Sequence, residues 1–177
     1  MSTDLIIREA VPEDVHPLVA LATVAFRDAY RHLDEPADIE AYVSGAFTPE
    51  AFESIIRDPS SVLLVALRES VYVGYAHVAH SDPPSCIKSP APVELARLYL
   101  SQTVLGKGYG SALMRAVHSV AARAGCSTIW LGVYERNERA RTFYRHWGFV
   151  DVGTKEFVFG SKTYADPVMS TPVRNDA

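Results

Sequence analysis

The sequence predicts a single α/β (α+β) domain in which about seven strands are interspersed with helices. The chain has 177 residues, which lies in the usual range for one domain with one hydrophobic core. Apolar residues make up 48% and charged residues 21%, as in ordinary globular proteins. Short β-branched runs and segments of helical periodicity follow one another without an internal repeat or a low-complexity linker. We therefore expect one domain over residues 1–177.

Charge and cysteine content exclude several classes of partner. The net charge of −4 and the pI near 5.8 indicate that the chain lacks the basic surface with which proteins bind nucleic acid. No apolar stretch approaches the roughly 18 to 20 residues of a membrane span. Cys86 and Cys126 belong to no C-x-x-C pair or His cluster, so we expect no metal and a reduced, cytoplasmic setting.

The first third of the chain is expected to hold one strand and three helices. Residues 5–8 form a short apolar strand, and a helix begins at Pro12, whose ring and following acids suit a first turn. Two short helices are expected between residues 34 and 58, with Pro49 as the restart signal. The first helix carries apolar residues at helical spacing, namely Val15, Leu18, Val19, Ala22, Phe26, Tyr30 and Leu33.

A hairpin and an irregular loop occupy the middle of the chain. Residues 61–67 and 71–80 are β-branched and aromatic runs, which predicts two paired strands. The intervening Arg68-Glu69-Ser70 contains no Gly to adopt a positive φ angle. Residues 81–92 are rich in Pro and Ser and cannot form a regular element.

The remaining segments alternate strands with helices and end on a strand pair. We expect strands over 93–100 and 127–134 and helices over 108–124 and 137–147. The tail over 171–177 is expected to be loose. The last two strands span 149–159 and 163–169 around Gly160-Ser161, with Pro167 at an edge or bulge.

The loop Leu105-Gly106-Lys107-Gly108-Tyr109-Gly110-Ser111 is typical of a phosphate-binding turn before a helix. Gly lets backbone N–H groups approach an anion, and the helix N-terminus adds partial positive charge. A plain tight turn remains an alternative. A dinucleotide site fits less well because residues 101–105 separate the strand from Gly106. No Gly-Lys-Ser/Thr follows for a P-loop, so the pyrophosphate of coenzyme A is the favoured ligand.

The segment from Glu94 to Phe149 resembles the core of the Gcn5-related N-acetyltransferase superfamily. The family's loop, Q/R-x-x-G-x-G/A, is matched by residues 105–110, with Leu105 in place of the polar residue. The resemblance implies a mixed, mostly antiparallel sheet flanked by helices on both faces. It also implies acetyl-CoA as the acetyl donor and an amine as the acceptor. The stretches ELARLYL and WLGVYERNERARTFYRHWGF, with FVFG, Asp166 and Met169, are similar to bacterial spermidine/spermine N-acetyltransferases.

The resemblance also assigns residues to the coenzyme. The loop amides would hold the pyrophosphate, and the backbone of the strand before the loop would pair with the pantetheine arm. The coenzyme core spans about 93–149. The residues assigned to the coenzyme are Leu98, Tyr99, Leu100, Leu105, Gly106, Lys107, Gly108, Tyr109, Gly110, Ser111, Asn137 and Tyr144.

Glu94 is the candidate general base. A primary amine has a pKa of about 10.4 and must lose a proton before it attacks a thioester. Glu94 lies fourteen residues before Gly108, where the family's base-bearing members place a carboxylate. A surface ion pair, or a water chain as the base, is the alternative. On a regular strand, the side chains that share the face of Glu94 would be those of Ala96, Leu98 and Leu100, opposite Leu95, Arg97 and Tyr99.

The run N-x-x-A-x-x-F-Y, residues 137–144, supplies the other catalytic candidate. In the family the Tyr of this segment donates to the coenzyme sulfur, which assigns that role to Tyr144. The alternative for Tyr144 is a purely structural role as a core aromatic residue at helical spacing. Asn137 is either a contact of the pantetheine arm or a helix cap, and both roles could coexist.

The acceptor site is the least determined part of the sequence. Neither His77 nor His80 indicates a catalytic site, and Cys86 has no base for a covalent acetyl-cysteine route. We expect a small-molecule amine, with a polyamine favoured, and a homodimer is a further expectation. The alternatives are a peptide acetyltransferase and a non-catalytic sensor of acetyl-CoA. Acidic residues that could attract a cation, or form a solvated helix face, are Asp28, Asp34, Glu35, Asp38 and Glu40.

Overall fold

The computed structural model describes residues 5–160 and 162–175. The described residues form seven strands and five α-helices, with two short 3₁₀ turns at Pro12–Asp14 and Gln102–Val104. This confirms the predicted α/β class. The elements are β1 (Leu5–Glu9), α1 (Val15–Tyr30), α2 (Pro36–Ala46), α3 (Pro49–Arg57), β2 (Ser61–Arg68), β3 (Val71–Ala79), β4 (Pro92–Leu100), α4 (Tyr109–Arg123), β5 (Thr128–Gly132), α5 (Glu138–His146), β6 (Val150–Phe159) and β7 (Lys162–Pro172).

All seven strands belong to one sheet in the order β1-β2-β3-β4-β5-β7-β6. Every neighbouring pair is antiparallel except β4 and β5, which run parallel. That parallel pairing extends only from Pro92 to Glu94 on β4, opposite residues 128–130 on β5. Beyond Glu94 the two strands diverge, because β4 continues along β3 whereas β5 continues along β7. The sheet therefore opens into a V at its centre.

A separate hydrophobic core covers each face of the sheet. On one face α1, α2 and α3 pack on the hairpin of β2 and β3, with Phe26, Phe52 and Tyr75 buried between them. On the other face α4 and α5 pack on the central strands, with Leu113 and Phe149 in the core. The V between β4 and β5 lies between these two cores, and this opening positions the candidate site.

Most predicted elements are present, and the differences are local. The helix predicted from Pro12 to Leu33 is regular only between Val15 and Tyr30. Glu69 and Ser70 themselves adopt positive φ angles of 49° and 65°, so the hairpin turns without Gly. Thr171 and Pro172 extend β7 rather than forming a loose tail. Of the predicted last turn and tail, residues 161, 176 and 177 lie outside the described residues.

One prediction about β4 is wrong. The pairing with β3 skips Ala96, since His77 is opposite Arg97 and Val78 is opposite Leu95. This bulge reverses the alternation of side chains along the rest of the strand. Leu95 and Leu98 therefore both face the α4 core, whereas Glu94, Arg97 and Tyr99 share the α1 face. Glu94 does not share a face with Leu98 and Leu100.

Candidate active site

The opening between β4 and β5 forms a cleft of about 710 Å³. One wall is the end of β4 and the following loop, and the other is the start of α5. The C-terminal half of α1, with Asp28, closes a third side together with His32 and Leu33, which follow the helix. The residues assigned to the coenzyme that line this cleft are Leu98, Tyr99, Leu100, Leu105, Gly106, Gly108, Gly110, Ser111, Asn137 and Tyr144.

The glycine loop leads into α4, and Gly106, Gly108 and Gly110 line the cleft. Gly106 and Gly108 have φ angles of 75° and 84°, which disfavour any residue with a side chain. Gly108 is the N-cap of α4 and carries no side chain to cap the helix, so the first amides of the helix are free to bind an anion. A Cβ at Gly110 would lie 3.3 Å from both Leu100 and Phe143. The absence of a side chain at Gly110 therefore lets the start of α4 lie close to β4 and α5.

Two residues of the predicted loop contribute less than expected. The ammonium of Lys107 donates to the carbonyl of Thr103 at 2.7 Å and does not line the cleft. The side chain of Tyr109 is buried in the α4 core, so that only its backbone N–H is available at the helix start. The loop therefore offers backbone groups rather than side chains to the cleft, as Gly-rich phosphate loops do.

Tyr144 and Asn137 lie on the α5 side of the cleft. The phenol of Tyr144 is almost completely buried, and burial raises its pKa well above the ordinary value, with the neighbouring Tyr30 adding to the shift. Tyr144 is therefore protonated near neutrality and can act as a hydrogen-bond donor. The carbonyl of Asn137 accepts from the N–H of Ala140 at 3.1 Å, so Asn137 caps α5 while it also lines the cleft.

A second, smaller cavity of about 120 Å³ lies on the α1 face of the same opening. Most of its wall consists of aromatic rings, and we call it the aromatic pocket. It shares Tyr99 with the cleft. Its lining comprises Phe26, Tyr30, Asp34, Tyr42, Glu94, Ala96, Tyr99, Gly132, Tyr134, Lys155, Phe157, Phe159 and Asp166.

Three carboxylates face the aromatic pocket. Glu94 accepts a hydrogen bond from Ser81 and lies 3.7 Å from the ammonium of Lys155. Asp34 accepts from the hydroxyl of Tyr164 at 2.7 Å through one oxygen. Asp166 is 5% exposed and accepts from the backbone N–H of Glu135 at 3.2 Å. Three carboxylates against one ammonium make the lining of this pocket acidic.

Polar atoms in the aromatic pocket lack partners among the described residues. The second carboxylate oxygen of Asp34 and the hydroxyl of Tyr134 are both buried without a hydrogen bond. Tyr134 is only 6% exposed. Burial raises the pKa of Asp166 to about 6. Buried polar groups of this kind are normally satisfied, so these two atoms are able to accept hydrogen bonds from a bound donor.

Tyr30 stands where the aromatic pocket meets the cleft. It lines the pocket, and its hydroxyl neighbours Tyr99 and Asn137, both of which line the cleft. Burial raises the pKa of Tyr30 to about 12, against the opposing influence of hydrogen bonding with those two neighbours. The two cavities therefore adjoin beside Tyr30 and Tyr99.

The five acids predicted near the acceptor site have different surroundings. Only Asp34 lines the aromatic pocket. Glu40 pairs with Arg27 through two contacts of 2.6 Å on the surface, and Asp28 lies 3.6 Å from Arg31 at the cleft. Glu35 is exposed at the start of α2, and Asp38 does not line the pocket. The acidic cluster is thus mostly a solvated helix face.

The remaining candidates are structural. His77 lies 3.2 Å from the hydroxyl of Ser61, and burial lowers its pKa to about 4, which keeps it neutral. Cys86 is half-buried, packed beside Gly153. Within residues 5–160 and 162–175, no group of three or more His, Cys, Asp or Glu is arranged to hold a metal ion. In the same part of the chain, no helix is both long and apolar enough to cross a membrane.

Several residues of the aromatic pocket were not predicted from the sequence. Tyr30 was assigned to an apolar helix stripe, and Lys155 and Tyr134 were not singled out. Asp166 was noted only in the resemblance to polyamine enzymes. The usable signal was an acid on a strand whose neighbours are otherwise apolar, since a buried acid needs a partner or a ligand.

Comparison with known proteins gives a consistent family. The model described as "Acetyltransferase (GNAT) family" matches residues 19–149. An uncharacterized N-acetyltransferase of Mycobacterium tuberculosis (strain ATCC 25618 / H37Rv) is 33% identical over 156 residues, which cover 88% of this chain and 96% of that protein.

Solved structures show the same fold. The PaiA N-acetyltransferase from Thermoplasma acidophilum, in complex with coenzyme A, superposes with a TM-score of 0.77 at 20% identity, over 96% of this chain and 99% of that chain. YncA from Salmonella typhimurium, a putative acetyltransferase with its cofactor acetyl-CoA, superposes with a TM-score of 0.66 at 18% identity, over 98% and 96% of the two chains.

Proposed function

The chain belongs to the acetyltransferase (GNAT) family and is an N-acetyltransferase that uses acetyl-CoA, and we propose that its acceptor is a primary amine of a small molecule, specifically a polyamine. The observation that carries this proposal is the acidic aromatic pocket, which meets the coenzyme-sized cleft at Tyr99. The amine would attack the thioester directly, without an acetylated enzyme intermediate.

The cleft fits acetyl-CoA in size and chemistry. Free amides at the start of α4 suit a pyrophosphate. The edge of β4 beyond Glu94 has no partner on the β5 side among the described strands, so its backbone groups can bind an extended pantetheine arm. The residues that would hold the coenzyme are those of β4, the glycine loop and Asn137. The thioester supplies an activated acetyl group.

The aromatic pocket fits an alkylammonium chain. Aromatic faces attract cations and pack against methylene groups, and carboxylates accept the N–H donors of an ammonium. The carboxylates of Glu94, Asp34 and Asp166 surround the pocket, which favours an acceptor with more than one positive charge. The volume of about 120 Å³ suits a small amine better than a folded protein surface.

Glu94 and Tyr144 are the proposed catalytic residues. Glu94 lines the pocket in which the amine would bind and its side chain is 16% exposed, so it can take the proton that the ammonium must lose. Tyr144 lines the cleft and is held protonated by burial, so it can donate a hydrogen bond to the departing sulfur. Glu94 would act on the attacking nitrogen and Tyr144 on the departing sulfur.

Two rival functions predict different behaviour. A peptide acetyltransferase needs an open groove for the chain that follows the amine, whereas the pocket is narrow and lined by rings. A non-catalytic sensor needs no donor or base at the junction, although Glu94 and Tyr144 are both present. A small-amine acetyltransferase accounts for both cavities.

The test is release of free coenzyme thiol from acetyl-CoA with spermidine, spermine, monoamines and amine-terminated peptides. We expect the polyamines to give the highest kcat/KM. Tyr144→Phe should lower kcat by about 10²- to 10⁴-fold, as loss of one acid–base group typically does. Tyr75→Phe is the matched control, because the buried hydroxyl of Tyr75 has no partner among the described residues and lines neither cavity.

Each outcome has a definite meaning. Preference for peptides over polyamines would overturn the acceptor assignment. Tight binding of acetyl-CoA without transfer to any amine would favour the sensor. Unchanged turnover in Tyr144→Phe would remove Tyr144 from the mechanism. A homodimer and a cytoplasmic location are further proposals, to be tested by sedimentation and by cell fractionation.

A further inference from the structure

The aromatic pocket already contains an amine that belongs to the protein. The chain has four lysines, and Lys88, Lys107 and Lys162 are exposed on the surface. Lys155 differs because it is half-buried and lines the aromatic pocket. Its ammonium lies 3.7 Å from the carboxylate of Glu94, the proposed base.

The fold holds Lys155 in this position through several contacts. Lys155 on β6 is opposite Asp166 on β7, so both side chains face the pocket. Its methylene stem crosses β5 at Gly132, where a Cβ would lie 2.8 Å from the Cε of Lys155. Its ammonium then lies 5.4 Å from the centroid of the buried Trp130 ring. Gly132 is therefore the open space through which Lys155 enters the pocket.

We propose that Lys155 is an acceptor in its own right and that the protein acetylates it when no free amine occupies the pocket. The inference rests on the proposed function, because it takes Glu94 as the base and the pocket as the amine site. The proposal assigns a modification site within the chain. It follows from the presence of a primary amine beside the proposed base, in a pocket that adjoins the cleft at Tyr99.

The transfer step is the same as for a free amine. The Lys155 ammonium gives a proton to Glu94, and the neutral nitrogen forms a bond to the carbonyl carbon of the thioester. The carbon–sulfur bond breaks, and the sulfur leaves with its electron pair and becomes the thiol of free coenzyme. The nitrogen loses a second proton as the amide forms, and that proton goes to the sulfur to complete the thiol. The products are Nζ-acetyl-Lys155 and coenzyme A, and acetyl-CoA is the one co-reactant.

Acetylation changes the pocket in two ways. It removes the positive charge that faces Glu94 and Trp130, and it places an acyl group in a cavity of only about 120 Å³. An amide does not revert without a catalyst. The modified protein is therefore expected to turn over free amines more slowly, and a bound polyamine should protect Lys155 by occupying its place.

The test follows acetylation of each lysine over time. The full-length chain is incubated with acetyl-CoA alone, with acetyl-CoA and spermidine, or with acetyl-CoA in denaturant, and acetylated sites are mapped by mass spectrometry. Lys88 and Lys162 report spontaneous acetylation in the same tube. We expect Lys155 to react at least about 100-fold faster than either, as base-assisted transfer would give. Denaturant should remove the difference, and spermidine should slow the reaction at Lys155 alone.

Two variants separate this inference from the proposed function. Glu94→Gln should abolish the preference for Lys155 while Lys88 and Lys162 react at their former rate. In Lys155→Arg, which keeps the charge, incubation with acetyl-CoA should no longer cause a progressive loss of amine turnover. If free amines are acetylated while Lys155 reacts no faster than Lys88, this inference is wrong and the proposed function stands. If neither free amines nor Lys155 react, the proposed function itself fails.

Discussion

Asp166 is a buried carboxyl group whose protonation is linked to the stability of the fold. Its carboxyl group is buried on β7, and among the described residues its one hydrogen-bond donor is the backbone N–H of Glu135. Burial raises its pKa to about 6 from an ordinary value of 3.8. An ionised Asp166 therefore costs folding free energy, which a bound ammonium would offset.

Replacement of Asp166 by Asn should stabilise the fold near neutral pH and weaken the binding of cationic acceptors. Between about pH 4 and pH 6 the folded protein keeps a proton that the unfolded chain has released, so wild-type stability falls as pH rises through this window. Asp166→Asn has no such titration. Its unfolding free energy relative to wild type should increase by up to about 3 kcal/mol between pH 4 and pH 7. Denaturant unfolding at several pH values measures the difference.

The same variant should bind cationic acceptors less well. We expect a higher KM for polyamines and an unchanged KM for acetyl-CoA. Asp82→Asn, on the exposed 81–91 loop, controls for the loss of one negative charge from the molecule. A difference in stability that does not depend on pH would contradict the assignment of a raised pKa to Asp166.

At the scale of elements, α5 follows β5 and forms one wall of the cleft. Asn137 begins the helix and caps it through the N–H of Ala140, and Tyr144 lies two turns further along. The Arg136 side chain donates to the carbonyl of Leu33 and so connects this end of α5 to the end of α1. The position of Tyr144, the proposed hydrogen-bond donor to the sulfur, therefore depends on how α5 begins.

Variants at Asn137 can separate capping from coenzyme binding. Asn137→Ala should lower the unfolding free energy by about 1 kcal/mol, the usual value of an N-cap. It should also raise KM for acetyl-CoA about three- to tenfold through loss of one hydrogen bond. Asn137→Ser should keep the cap and still raise KM. Chemical denaturation and steady-state kinetics give the two quantities.

The matched control for that experiment is the cap of α3. Thr48 accepts from the N–H of Ala51 at 3.2 Å and lies away from both cavities. Thr48→Ala should therefore lose similar stability with no change in KM for acetyl-CoA. If Asn137→Ser shows the wild-type KM, Asn137 is a cap and not a coenzyme contact.

At the scale of the whole molecule, the cleft joins elements from both faces of the sheet. Its lining includes α1 from one face and the starts of α4 and α5 from the other. A coenzyme bound there would contact all of these elements and stabilise the complete fold. The gain depends on ligand concentration and is about 2.7 kcal/mol at 100 times Kd.

Gly-to-Ala variants should show which glycine is required for stabilisation of the fold by bound coenzyme A. Gly108→Ala places a side chain on a φ angle of 84°, so we expect a less stable protein whose melting temperature responds weakly to coenzyme A. Gly45→Ala, in α2 with open space around it, should instead be stabilised by about 0.5 to 1 kcal/mol and keep the full response. Thermal unfolding across a coenzyme A titration measures both. An equal response in the two variants would exclude the loop as the anion site.

Local patterns in the sequence were sufficient for much of the fold. Hydrophobic periodicity and turn residues predicted the order of the elements, because each depends on neighbours within a few positions along the chain. The glycine loop was predicted for the same reason, because its spacing before a helix is local in the chain. The roles of Asn137 and Tyr144 were implied by the resemblance of residues 137–144 to the N-acetyltransferase superfamily.

The aromatic pocket could not be predicted from such patterns. The bulge at Ala96 turns Glu94 away from Leu98, and it arises from the register between β3 and β4. The pairing of Lys155 with Glu94 requires β6 and β7 to follow β5 in the sheet order. The sequence by itself determined the elements and the glycine loop, whose interactions are local. Only the tertiary structure decided the aromatic pocket, because strand order and register bring together side chains from Phe26 to Asp166 that are distant in the chain.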